Sequence, residues 1–162
     1  MSPRLAMPVL AVLALVAVAC GGGDAPEPEA TAEPAAVPAA APATGPRVFF
    51  MQPRNGDTVT LPLEIVFASD MFEISPVPPG DLTEARPAVG HYHLGLDTDC
   101  LAAGTVIPKA DPWTHFGTGN NTISFPEGSL APGPHKLTVQ AGDDLHAAIP
   151  GLCETIEITV EG

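Results

Sequence analysis

From Arg47 onward, apolar positions almost never recur with the period of a helix. Short runs of alternating or β-branched residues instead lie between clusters of Gly and Pro. These runs predict strands at Arg47–Gln52, Leu63–Ser69, His91–Asp97, Thr122–Phe125, Lys136–Ala141 and Thr155–Val160. Turn signals punctuate them at Pro53-Arg54-Asn55-Gly56-Asp57, Pro78-Pro79-Gly80-Asp81, Pro126-Glu127-Gly128 and Pro132-Gly133-Pro134. In the last strand Ile156, Ile158 and Val160 face one way and Thr155, Glu157 and Thr159 the other, the pattern of a sheet with one wet face. Several such strands in one domain predict an all-β fold, an immunoglobulin-like antiparallel β-sandwich. The Ser75 to Val89 stretch has room for one short helix, but its prolines argue for a long loop.

The chain before Arg47 reads differently. Arg4 supplies a positive start, and Leu5 to Ala19 form an apolar stretch of signal-peptide length, carrying Pro8 and too short to span a bilayer. Ala17, Val18 and Ala19 before Cys20 resemble the lipobox of bacterial lipoproteins, although leucine is usual at the place of Ala17. The expectation is a lipoprotein signal peptide over 1–19 and a diacylated (palmitate-type) anchor at Cys20, which two acyl chains would hold in a lipid bilayer. The alternative is an ordinary secretory signal with a chance cysteine. From Gly21 to Pro46 the chain holds nine Ala, six Pro, four Gly and four acids, with no aromatic and no basic residue. It cannot bury enough apolar surface to offset the entropy of ordering. Residues 20–46 are therefore expected to be a disordered tether, reaching roughly 80 Å if extended at about 3.1 Å per residue. Residues 47–162 form the one domain, and the whole predicts an extracytoplasmic, membrane-anchored protein of the cell envelope or periplasm.

Charge narrows the partners. The stretch from Arg47 to Gly162 has five Lys or Arg against fifteen Asp or Glu. Nucleic acid and anionic head groups both call for a basic surface, so neither is an expected partner, whereas a cation is compatible. Solubility alone also accounts for such a charge. No protein partner can be named from the sequence.

With Cys20 assigned to the anchor, two thiols remain in a compartment that oxidises them. Cys100 and Cys153 are expected to be disulfide-bonded, closing a loop of about fifty residues for roughly 4 kcal/mol in the chain-entropy model. A cysteine metal site is weak, because neither has a C-x-x-C partner.

The chemistry-bearing stretch is Gly90-His91-Tyr92-His93-Leu94-Gly95-Leu96-Asp97. On a strand, Tyr92, Leu94 and Leu96 share the core face, and His91, His93, Gly95 and Asp97 share the other. Two imidazoles at i and i+2 stand about 7 Å apart at their backbones and can converge on one zinc or copper ion. The plain alternative is a pair of exposed polar positions on a wet sheet.

Further motifs join this one: His115-Phe116-Gly117-Thr118-Gly119, and Pro132-Gly133-Pro134-His135 running on to Gly142-Asp143 and His146. Together they resemble the bacterial exported domain-of-unknown-function family numbered 4399, whose pattern is G-H-H-H-L with an acid, H-F-G-x-G, then P-G-x-H with a following G-D and more histidines. The resemblance also takes in Val48 to Asp57 and Ile156 to Val160. It implies a shared fold and a recurrent polar cluster, and no activity. Tyr92 departs from the pattern in place of the middle histidine, on the core side. Asp144 and Leu145 stand where members often carry another histidine, and Ala147 to Pro150 lack a further one.

The candidate metal ligands are His91, His93, His115, Asp143 and His146. His115 is expected in a loop whose glycines permit close approach, and Asp143 and His146 where the Lys136 to Ala141 strand ends. His135, between a Pro-Gly turn and a core strand, reads as a packed or capping residue. Asp97 could orient an imidazole from behind, or be a surface acid.

Three functions compete. One is a divalent metal-binding module with zinc or copper as the possible cofactor. Another is an adhesive or envelope interaction module whose histidines only bond loops. The third is a metal-dependent hydrolase or redox enzyme, disfavoured because no G-x-S-x-G and no H-E-x-x-H occurs, and no catalytic residue can be assigned. Convergence of the cluster on one point would discriminate the first two.

Overall fold

The computed structural model describes residues 44–162. The expected signal peptide, Cys20 and all but the last residues of the tether lie outside the described residues. Nine strands follow in chain order: β1 (Arg47–Gln52), β2 (Thr58–Val59), β3 (Leu63–Asp70), β4 (Glu73–Ile74), β5 (Val89–Leu96), β6 (Trp113–Phe116), β7 (Thr122–Phe125), β8 (Gly133–Gly142) and β9 (Ala148–Val160). Among the described residues there is no helix, so the Ser75 to Val89 stretch is mostly the expected loop. The six expected strands are all present. The three others are short, and two of them, β2 and β4, are two-residue pairings that leave no periodicity to read.

Two sheets form the sandwich. One has the order β1-β3-β7, antiparallel throughout. The other has the order β2-β9-β8-β5-β4, with β6 also paired to β5. Alternation decides what lies between them. Val48 and Phe50 from β1, Ile65 and Phe67 from β3, Tyr92 and Leu94 from β5, Leu137 and Val139 from β8, and Ile156 and Ile158 from β9 are buried in one cluster. Phe67 ties the layers, meeting Tyr92 and Phe116 edge-to-face with ring centroids 4.8 and 5.1 Å apart. Tyr92 therefore does face the core.

The other face of the β5–β8 pair is covered as well. The connection from β5 to β6 folds back over it and is pinned at several points. Cys100 and Cys153 are disulfide-bonded. The Gln140 side chain accepts from the Leu101 amide and donates to the Leu101 carbonyl, at 3.0 and 2.9 Å. Thr138 Oγ1 donates to the Thr98 carbonyl. Ile107, Trp113 and Ala148 close a second, smaller apolar cluster there. Of the buried polar side chains of this face, Thr138, Gln140 and Asp144 each meet a backbone group and His146 meets another side chain, as burial demands. The exceptions are two histidines.

Candidate metal centre

Those two are His91 and His93, on alternate positions of β5 and both without exposure to solvent. Their register explains their neighbours. His93 lies opposite His115 on β6 and opposite Gln140 on β8, while His91 lies opposite Gly142. Cross-strand pairing therefore puts His115 on the same face as His93. The sequence placed His115 in a glycine loop; β6 is instead a four-residue strand, too short to announce itself, and the glycines come just after it.

His146 arrives from the turn between β8 and β9. Its φ is +68°, in the left-handed region that histidine tolerates better than most side chains. The turn is held by Asp143, whose Oδ1 accepts from the amides of Leu145 and Ala147, both at 2.9 Å. His146 itself donates its amide to the Asp143 carbonyl, and its own carbonyl accepts from Ile107.

Four imidazoles meet as a result. His91, His93, His115 and His146 each offer one ring nitrogen, and these four atoms all lie within 4.8 Å of one another. Ring centroids are 4.6 to 5.6 Å apart across every pair. Asp143 is not one of the group. It was expected as a ligand, but its carboxylate builds the turn that presents His146, a role sequence spacing cannot separate from ligation.

Two glycines make room for the rings. A Cβ on Gly142 would stand 2.8 Å from His93 Cε1, and one on Gly117 would stand 2.4 Å from His115 Cε1. The G-D and H-F-G motifs thus have a steric cause: the glycine lies against an imidazole.

Electrostatically the rings are neutral bases. Burial pushes His91 down to about 3, helped by the charges His115 and His146 would carry. Burial likewise pushes His93 down to about 2, with the other three rings adding to it. His115 and His146 are lowered too, again by burial first. The Nε2 atoms of His115 and His146 are 3.0 Å apart, so one ring donates to the other. By contrast, neither nitrogen of His91 and neither nitrogen of His93 has a hydrogen-bond partner. An unpaired buried polar group costs about 1–3 kcal/mol, and here a nitrogen donor and acceptor on each of two adjacent rings are unpaired.

The remaining polar candidates lie elsewhere. Alternation put Asp97 on the His91 face, but β5 ends at Leu96 and Asp97 turns away with φ +52°. It does orient an imidazole, that of His135, at 3.0 Å from Nδ1, and it accepts from the Lys136 amide. His135 bonds the Ala131 carbonyl through its other nitrogen. It is a capping residue, as its position suggested. Sequence reasoning missed the partnership of Asp144 with Arg86. The Asp144 carboxylate is buried, and Arg86 grips it through Nε and Nη2, both at 2.8 Å, and through its backbone amide. The guanidinium holds Asp144 down at about 2. Arg86 also donates to Ser75 Oγ and the Pro76 carbonyl, so the pair fastens the β4–β5 loop beside the cluster.

One family, described as a domain of unknown function (DUF4399), matches residues 67–161, more than half of the chain. The chain belongs to this family. The DUF4399 match takes in all four histidines, both glycines and both cysteines of the domain, while the resembling Val48 to Asp57 stretch lies outside it. No curated protein and no solved structure matches the chain.

Proposed function

We propose that this DUF4399 domain binds a divalent metal ion, zinc or copper, through His91, His93, His115 and His146. The observation that carries the reading is four ring nitrogens within 4.8 Å of one another, two of the rings fully buried with nothing bonded to them. In a tetrahedral site with metal–nitrogen bonds near 2.0–2.1 Å, ligand nitrogens are about 3.3 Å apart. Small rotations of the rings would bring the set to that spacing. Neutral imidazole is a ligand for zinc and copper, and burial keeps these rings neutral.

Histidines serving only to hold loops would be bonded to them, as His135 is. Asp97 and Gln140 show how this fold satisfies polar groups when structure is the only task. That contrast favours the metal over the interaction module. A catalytic role gains nothing specific here, since among the described residues no cysteine and no carboxylate joins the four rings of the cluster.

The reading includes the setting. The chain is proposed as an extracytoplasmic lipoprotein held to a bilayer by acylated Cys20, the domain standing off on its tether. The Cys100–Cys153 disulfide supports an oxidising compartment.

The test is metal analysis and calorimetric titration of the chelator-treated protein with zinc and copper. The expected result is one ion per chain in the wild type and none retained by His91→Ala/His93→Ala or by His115→Ala/His146→Ala. The second pair is the less buried, and so the safer for folding. No binding by the folded wild type would refute the metal and leave the interaction module.

A further inference from the structure

The histidine cluster has a way out. A cavity of about 300 Å³ reaches His146, lined also by Val77, Leu82, Asp81, Lys109 and Asp144. His146 and Lys109 both line it.

Lys109 is the charge that gives this cavity its character. It makes no ion pair among the described residues, whose pairs are those of Arg47, Arg86, His135 and Lys136. Its placement is felt throughout the site. Burial is the larger cause of the lowered pKa of each ring, and the Lys109 ammonium adds to it in all four. Of the acids around it, Asp144 is matched by the two-pronged grip of Arg86, whereas Asp143 and Asp81 keep their negative charge, so it is a bound ion together with Lys109 that would leave the cavity positive. Asp81 lines the cavity without pairing to Lys109.

A metal bound by the four rings would carry its full double charge, because every ligand is neutral. A dication with no anionic ligand, facing a cavity that holds a free ammonium, is a receptor for negative charge. On the metal-binding reading, we infer that the cavity takes a small anion as an added ligand, bridging the metal and the Lys109 ammonium. Copper(II) prefers tetragonal coordination, which leaves an axial position beyond four nitrogen ligands, so in the copper form the four histidines do not close the shell. The same cavity makes the site a centre open to exchange from solvent on the His146 side, while His91 and His93 stay sealed beneath.

The experiment is azide titration of the copper(II)-loaded protein, read by azide-to-copper charge-transfer absorption and by electron paramagnetic resonance. Saturable binding is expected. Lys109→Met should weaken it about tenfold or more, the loss of one hydrogen bond to a charged group, with copper still bound. Asp81→Asn should tighten it. Copper binding with no response to azide overturns the anion site and leaves the metal site standing, as does equal azide affinity in Lys109→Met. Failure of the protein to bind copper or zinc at all overturns both.

Discussion

The Nε2 atoms of His115, on β6, and His146, in the β8–β9 turn, stand 3.0 Å apart although the two residues are 31 positions apart in the chain. One of the two rings donates its Nε2 proton to the other, so for both Nε2 atoms to hold a metal that ring must carry its proton on Nδ1 instead. Removing either ring should weaken metal binding by more than the roughly 10–100-fold that loss of an outer partner of a ligand costs. Calorimetry on His115→Ala and His146→Ala separately checks this. Metal at 100 times its Kd should also raise stability by about 2.7 kcal/mol, visible as a higher Tm.

Gly142 and Gly117 should respond differently to alanine. At Gly142 the added methyl meets the fully buried His93 ring at 2.8 Å and Ile107 Cδ1 at 3.3 Å, with no room to yield. Gly142→Ala is expected to cost about 1–3 kcal/mol as an overpacked site. At Gly117 the ring met is that of the less buried His115, which can swing outward. Gly117→Ala should lose metal affinity with a smaller loss of stability. Urea unfolding beside metal titration separates the two effects.

The histidines divide into two classes by pH. In the metal-free protein His91 and His93 have folded pKa values of about 3 and about 2, below the unfolded value near 6.5. Their contribution to stability is present above pH 6.5 and lost as pH falls from there toward 3 and 2, because the unfolded chain binds the protons. His135 is raised, first by the Ala131 carbonyl and then by Asp97. Its contribution is present below 6.5 and lost as pH rises through its folded value. Proton NMR should show His135 titrating above 6.5 while the two buried rings stay neutral at pH 5. His135→Gln should remove the loss on the alkaline side only.

The disulfide fastens the covering connection to β9. With its cysteines 53 positions apart, its loss in Cys100→Ser/Cys153→Ser should cost roughly 4 kcal/mol in the chain-entropy model. The cover over His91 and His93 would loosen with it. Urea midpoints with and without reductant, together with metal affinity, check both expectations. A wild type whose midpoint ignores reductant would contradict the role given to the bond.

Much of this was legible before any coordinates. Period-two alternation is a local property, so it marked the six longer strands, turned Tyr92 inward and put His91 with His93 on one face. With Cys20 set aside as the expected anchor, the two remaining cysteines could pair only with each other. The left-handed turn at His146 and the grip of Arg86 on Asp144 were not legible, since neither follows from spacing.

What the sequence determined by itself, then, is the fold class, the disulfide and the histidines on the opposite side of β5 from Tyr92. Only the tertiary structure decided that this side is buried, that His115 sits on a strand beside His93, and that Asp143 shapes the turn while His146 reaches the cluster. The physical reason is that alternation says which side chains share a face, but not what covers it. That cover is the β5–β6 connection, held by contacts from Cys153, Gln140 and Thr138, residues 30 or more positions away from their partners in the chain.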